Sequence, residues 1–230
     1  MYEQWLNILN TSPLFSKIDL KELGIMLNCL RPRVCMYKKN ETITIEGTHF
    51  EGIGVVLKGD AAVTKENAAG SRIIMEMLGP SGMFGEIAAF SARRIWPATV
   101  VAQDDCTIMF LSPEKLVSDC EKLCISHKML VSNMLRIVSD KALMLNKKVE
   151  YLVIKSIRGK ISSFLLDQYK IAGSRTFMMP MKRNELADFL SVSRPSLSRE
   201  MGRMRDEGII EFHMSSIRIK DIDSLYYSIS

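Results

Sequence analysis

The longest helix candidate in the chain runs from Ile125 to Val153, a stretch with neither glycine nor proline. Val131, Met134, Val138, Ala142, Leu145, Val149 and Leu152 recur along it at steps of three and four, the period of one face of an α-helix. A second stripe runs through Leu130, Ile137, Met144 and Tyr151. A helix that is apolar on two faces needs two partners. One is the domain it leaves; the other is the same helix of a second chain, in a parallel pair. The alternative is a helix buried inside one monomer. Either way, the rest of the chain must be arranged around this element.

Before it, residues 1–27 read as helical, with a break at Ser12-Pro13 and a second short helix near Leu20–Leu27. From about Arg31 to Ser112 the texture changes to short β-rich runs: Ile43–Ile45, Ile53–Leu57, Ala61–Thr64, Ile73–Met77, Ala98–Val101 and Thr107–Leu111. Gly, Asn or Asp turn signals separate them, which predicts an all-β sandwich or barrel. Ile53–Leu57 lacks clean alternation, as expected of a strand covered on both sides. Ser112-Pro113-Glu114 is a helix start signal.

After it, the chain must end or bend its long helix near Val153–Ile157, and a further helix from Gly159 to about Ile171 closes at Gly173. Glu185–Leu190 is a short amphipathic helix, and Ser191-Val192-Ser193 a tight turn. Ser193 is a good N-cap for a second helix from Arg194 to about Glu207, with Pro195 in its first turn and Gly208 as its stop. Leu186, Ala187 and Leu190 can pack against Val192, Leu197 and Met201. Such a pair sets its second helix into a DNA major groove. Ile209–Phe212 and Ile217–Lys220 pair around His213–Ser216 as a small wing. Arg194, Ser196, Ser198, Arg199 and Arg203 form the exposed face. An arginine there can bond O6 and N7 of guanine together, and serines can bond phosphate or base edges.

Charge agrees with that placement. The net charge of +5 is concentrated from Lys155 onward, where 13 Lys/Arg stand against 9 Asp/Glu; residues 1–154 hold 18 against 17. A basic terminal domain beside a nearly neutral one suits a nucleic-acid partner. No Ser/His/Asp or Cys/His arrangement, paired carboxylates or phosphate-binding glycine loop has a positional rationale, so an enzyme is not expected. No apolar run is long enough to span a bilayer, and the N-terminal MYEQWLNILN lacks the basic flank of a signal peptide. The expected location is cytoplasmic. The five cysteines (Cys29, Cys35, Cys106, Cys120, Cys124) include no C-x-x-C pair. Cys120 and Cys124 lie one helical turn apart, which leaves a metal or redox role open beside that of semi-buried thiols. His49, His127 and His213 lack metal-ligand spacing.

With these modules in this order, the sequence resembles the Crp–Fnr family of bacterial transcription regulators over nearly its whole length. Tyr37-Lys38-Lys39-Asn40-Glu41-Thr42-Ile43, Glu46-Gly47, Leu57-Lys58-Gly59 and Phe84-Gly85-Glu86 match the family's cyclic-nucleotide-binding-type β-roll; Ser193-Arg194-Pro195-Ser196-Leu197-Ser198-Arg199 matches its recognition helix. The resemblance implies an α+β fold: an N-terminal double-stranded β-helix (1–113), a long dimerisation helix and hinge (114–154), and a C-terminal winged helix-turn-helix (155–230). It implies a homodimer through the 125–153 helix that reads palindromic double-stranded DNA, with RNA polymerase as a further partner of an activating member and no membrane. Arg194 and Arg199 fall at base edges, Ser193, Ser196 and Ser198 beside them, and Arg183 and His213 at positions that touch the backbone or flank the groove. Cyclic-AMP-responsive members carry Glu where this chain has Pro195, so its half-site should differ there.

The stretch FGEIAAFSARRIWPATVV, residues 84–101, carries the question of the effector. Small residues let a ligand approach the backbone, and N–H groups at a helical turn favour an anion. The cyclic-AMP-binding relatives have Gly-Glu and, twelve residues after the Glu, the Ala of an Arg-Ser-Ala triplet. Glu86 to Ala98 keeps that spacing, but the triplet is Trp96-Pro97-Ala98. The two hydroxyl residues that reach the adenine from the long helix correspond to Leu145 and Asn146. A lost charge-assisted contact at a buried phosphate is costly, and Arg93 or Arg94 would have to compensate. The expected pocket, Gly85, Glu86, Ile87, Trp96, Pro97, Ala98, Leu145 and Asn146, therefore suits an unidentified, flatter or more apolar effector stacked near Trp96. No cofactor is specified. The alternatives are a ligand-free β-roll with constitutive DNA binding, or a β-roll that senses a protein partner.

Overall fold

The computed structural model describes residues 2–66, 72–117 and 125–229. Cys120 and Cys124 lie outside them. The chain divides into two compact units, Met1–Asp140 and Lys141–Ser230.

The first unit opens with α1 (Leu6–Thr11) and α2 (Leu20–Leu30). Asp19 caps α2 by accepting the Lys21 N–H at 2.9 Å, and the buried face Leu23, Met26, Leu27 and Leu30 recurs at helical spacing. Eight strands follow: β1 (Arg33–Tyr37), β2 (Thr42–Thr44), β3 (Ile53–Lys58), β4 (Ala61–Glu66), β5 (Arg72–Leu78), β6 (Met83–Phe84), β7 (Thr99–Ala102) and β8 (Cys106–Leu111), with the one-turn helix α3 (Glu86–Ala89) between β6 and β7. They form two antiparallel four-stranded sheets, ordered β1-β8-β3-β6 and β2-β7-β4-β5.

Every apolar residue of β3 from Ile53 to Leu57 is buried, as its lack of alternation predicts. Gly54 is required there because a Cβ would stand 2.1 Å from the Phe84 ring. Strands β1 and β6 were not legible in the sequence: Val34 and Met36 of β1 point outward, and β6 is only two residues long. Of the cysteines, Cys29 is exposed, Cys35 half-buried and Cys106 buried, and burial pushes the Cys106 thiol pKa up.

Helix α4 (Pro113–Val117) precedes the long helix α5 (Ile125–Val153), which is unbroken and ends at Val153 as expected. In the first unit, Leu130 and Met134 enter the core, with Met129, Ile137 and Val138 packed against it. Asn133, also buried, donates from Nδ2 to the carbonyls of Leu14 and Ser16 at 3.0 and 2.8 Å. The two expected stripes are thus divided along the helix. Leu130, Met134, Ile137 and Val138 belong to this core, while Met144, Leu145, Val149 and Leu152 are exposed, as are Leu143 and Val153 beside them.

In the second unit Tyr151, at the end of α5, is buried. Its hydroxyl donates to Asp167 at 2.7 Å, and its ring meets Phe164 and Phe189 at 6.1 and 5.5 Å. Helix α6 (Ile157–Ala172) is capped by Ser156, which accepts the Gly159 N–H at 2.9 Å, and ends at Gly173. Then come β9 (Thr176–Met178), α7 (Arg183–Phe189), α8 (Arg194–Asp206), β10 (Ile210–His213), β11 (Ser216–Ile219) and α9 (Ile222–Tyr227). The wing hairpin β10–β11 has β9 as a third strand, in the order β10-β11-β9, which three residues of sequence did not announce. Leu186, Ala187, Leu190, Leu197 and Met201 join one core with Val192 packed against it, the packing expected between the paired helices.

Candidate nucleic-acid interface and effector pocket

Helix α7 starts when Glu185 turns back to accept the Lys182 N–H at 2.7 Å. The connection to α8 passes through Ser191, at φ 52°. Ser193 then caps α8: its Oγ accepts the Ser196 N–H at 3.3 Å and donates to Ser196 Oγ at 2.8 Å. Satisfying an orphan donor of the first turn is what an N-cap serine does, so Ser193 has a structural task of its own. Pro195 follows in the first turn, where its missing N–H removes no helical bond.

The exposed start of α8 arranges the expected residues in two hydrogen-bonded groups, one on Arg194 and one on Arg199. Arg194 donates from Nε to Asn184 Oδ1 at 3.0 Å and from Nη1 to Ser198 Oγ; Arg199 donates to Ser196 Oγ at 3.2 Å. Two exposed guanidiniums are thereby held by short neutral side chains on a helix N-terminus, free of any carboxylate partner among the described residues. Neutral partners exchange for guanine or phosphate acceptors at lower cost than an ion pair would. Sequence reasoning missed Asn184, which reaches Arg194 only because α7 packs beside α8.

Arg183 and His213 stand apart from these two groups. The Arg183 guanidinium is half-buried, 4.9 Å from the Phe212 ring centroid, and it donates to Met201 Sδ. Burial, and then the like charge of Arg194, lower its pKa. Arg205 meets the same ring at 5.5 Å. His213 is exposed at the wing tip, paired in register with Ser216.

The effector residues divide differently. Gly85, at φ 86°, leads into α3; a Cβ there would stand 2.7 Å from Trp96 Cζ3 and 2.9 Å from Phe50. Trp96 is only 3% exposed, with its ring 4.5 Å from Phe50 and 5.9 Å from Phe84. Its backbone is tied on both sides: the Trp96 N–H donates to the Thr48 carbonyl, and the Gly47 N–H to the Trp96 carbonyl, each at 2.9 Å. The indole thus packs on the Gly85 backbone as core. Its ring partners Phe50 and Phe84 are ones that no local sequence pattern reveals.

Glu86 and Ala98 are buried, while Ile87 and Pro97 are exposed. Arg94, the candidate substitute clamp, pairs instead with Glu114. Glu114 also accepts from Ser112 at 2.6 Å, and these bonds hold its carboxyl down at about 2. Arg94 lines an open cleft of about 480 Å³ together with Arg31, Arg33, Glu51 and Phe110. Leu145 and Asn146 are exposed on the second-unit part of α5. No group of His, Cys, Asp or Glu among the described residues could hold a metal ion, and no described helix is long and apolar enough to cross a membrane.

A capped helix pair with a basic, exposed second-helix face and a β-hairpin wing, preceded by a β-roll, defines a DNA-binding transcription regulator. Residues 34–122 match the cyclic nucleotide-binding domain, and residues 159–227 the Crp-like helix-turn-helix domain. The chain is 20% identical over 210 residues to the Cyclic AMP receptor protein of Thermus thermophilus, across 91% of this chain and 93% of that protein. It is 25% identical over 195 residues to the transcriptional activator protein FnrA of Stutzerimonas stutzeri, across 80% and 75%. The crystal structure of the Thermus thermophilus catabolite activator protein shares the fold at a TM-score of 0.55 and 19% identity, over 95% of this chain and 98% of that one. The chain belongs to the Crp–Fnr family of transcription regulators, and it is a regulator rather than an enzyme.

Proposed function

We propose that the chain works as a homodimer, divided at about residues 113 and 154 into β-roll, dimerisation helix and DNA-binding domain, and that it reads a two-fold operator without cyclic AMP as its signal. The observation that carries this reading is the buried Trp96 indole on Gly85. In the cyclic-AMP-binding relatives the corresponding position holds the arginine that pairs with the cyclic phosphate. Here the side chain offers no charge, and Arg94 is engaged elsewhere. Dimerisation is supported by the exposed apolar residues on α5, from Leu143 to Val153. Left in water on a folded chain, that surface is unfavourable, and a parallel partner helix would cover it. Arg194 and Arg199 then read base edges, with Ser196 and Ser198 beside them; Arg183 and His213 flank the groove. Two recognition helices meet successive major grooves when they stand about 34–36 Å apart.

A small molecule bound elsewhere in the β-roll would act by biasing α5 and the Ile154–Ser156 connection. The closed packing around Trp96 favours the second reading, a ligand-free β-roll with constitutive DNA binding. A thermal-shift series with 3′,5′-cyclic AMP up to millimolar concentration tests the central point. No rise in melting temperature is expected, whereas stabilisation at micromolar concentration would overturn the proposal, because a ligand that binds only the folded state must stabilise it.

A further inference from the structure

Arg158 lies in the first turn of α6, two residues after its Ser156 cap. Its Nε donates to Glu200 Oε1 at 2.6 Å, and its Nη1 and Nη2 donate to Glu207 Oε2 and Oε1, each at 2.7 Å. Both carboxylates belong to the α8 segment, seven residues apart, which places them on one face two turns from each other. A planar guanidinium that satisfies three such bonds fixes both distance and angle, which a lysine ammonium cannot do. The pair with Glu200 is also drier than an ordinary surface bridge, with side-chain exposures of 30% and 14%.

Two residues further along the same turn, Lys160 adds a second hold. Lys160, buried, donates from Nζ to the Leu190 carbonyl at 3.1 Å, just past the end of α7. One turn of α6, directly after the Ile154–Ser156 connection, therefore grips both helices of the pair. Glu200 and Glu207 also put two negative charges on the helix assigned to DNA, where an unpaired carboxylate would repel phosphate. Among the described residues Glu200 has Arg203 as its one further ion-pair partner, at 3.5 Å.

We infer that Arg158 is a positioning residue for operator recognition: it sets α8 at its angle to α6 through Glu200 and Glu207, and it masks their charge without touching DNA itself. This rests on the assignment of α8 as the recognition helix. The test compares two duplexes, one selected by the wild-type protein from a randomised pool and one of the same composition scrambled. The readout is the ratio of the two affinities, with melting temperature recorded alongside.

R158Q should lower the ratio about tenfold or more, as a misplaced helix forfeits base contacts made by fixed bidentate geometry. The slope of log K against log salt should stay unchanged, because no phosphate contact has been removed. E200Q/E207Q empties the same clamp from the other side and should lower the ratio too. Binding to the scrambled duplex should move in opposite directions, weaker in R158Q and tighter in E200Q/E207Q. That pattern separates positioning from charge alone, and the second variant carries the prediction if R158Q does not fold. A ratio kept at the wild-type value by the clamp variants, while R194A loses it, overturns the inference alone. A ratio kept by R194A as well removes the recognition-helix assignment beneath it.

Discussion

Trp96→Ala separates a core indole from a ligand platform. The side chain is 3% exposed and touches Phe50, Phe84 and the Gly85 backbone. Truncating a buried Trp costs about 3–5 kcal/mol. The upper part of that range applies, because Gly85 holds a left-handed conformation and Gly47 and Thr48 are tied to the Trp96 backbone, so the walls collapse poorly into the space. For a unit of this size each kcal/mol moves Tm by about 2–4 °C, so the transition of the first unit should fall by roughly 10–20 °C. Trp5, which packs against the same core, remains as the fluorescence reporter in W96A. In the complementary W5F variant Trp96 is the sole indole, and its emission should be blue-shifted and shielded from acrylamide. A Tm loss below about 3 °C, with Trp96 emission like that of free indole, would place the ring at the surface and refute the reasoning.

Other perturbations test separate parts of the account. Leu143→Glu with Leu152→Glu places charge on the exposed apolar face of α5; by light scattering the mass should fall from twice 26.1 kDa to 26.1 kDa, with loss of operator binding. Tyr151→Phe removes the hydroxyl bonded to Asp167 and should destabilise the second unit by about 1.5–3 kcal/mol in urea unfolding, the range for a hydrogen bond to a charged group; a loss under 0.5 kcal/mol would count against that bond. Burial, and then Cys35, raise Tyr37 from 10.0 to about 12. The folded state therefore favours the neutral phenol, and its contribution, intact below pH 10, is lost as pH rises toward 12. Tyr37→Phe should flatten that alkaline loss.

The helix α5 was readable because neither glycine nor proline interrupts it, and its C-terminal bound because the chain leaves the helix at Ile154 and a new cap follows at Ser156. The helix pair from Arg183 to Asp206 was readable because turn, cap and stop are encoded in adjacent residues. Strands β1, β6 and β9 were not, because two of them are three residues or shorter and β1 turns Val34 and Met36 outward. The site divides along the same line. The Ser193–Arg199 run is local, so its residues assemble as sequence order suggests. The fate of Trp96 depends on Phe50, 46 positions earlier, and the clamp on α8 depends on Arg158, 42 positions before Glu200. Neither has a local signature. Spacing alone preserved the Glu86–Ala98 register but could not tell whether an indole there faces a ligand or fills the core.

The most direct measurement is operator discrimination by the α8 arginines. The wild-type protein should prefer a two-fold duplex selected from a randomised pool over its scrambled counterpart. R194A and R199A should each lose about 1–3 kcal/mol of that preference while keeping weak binding to both duplexes. If either variant discriminates as well as the wild type, α8 does not read the operator through these residues.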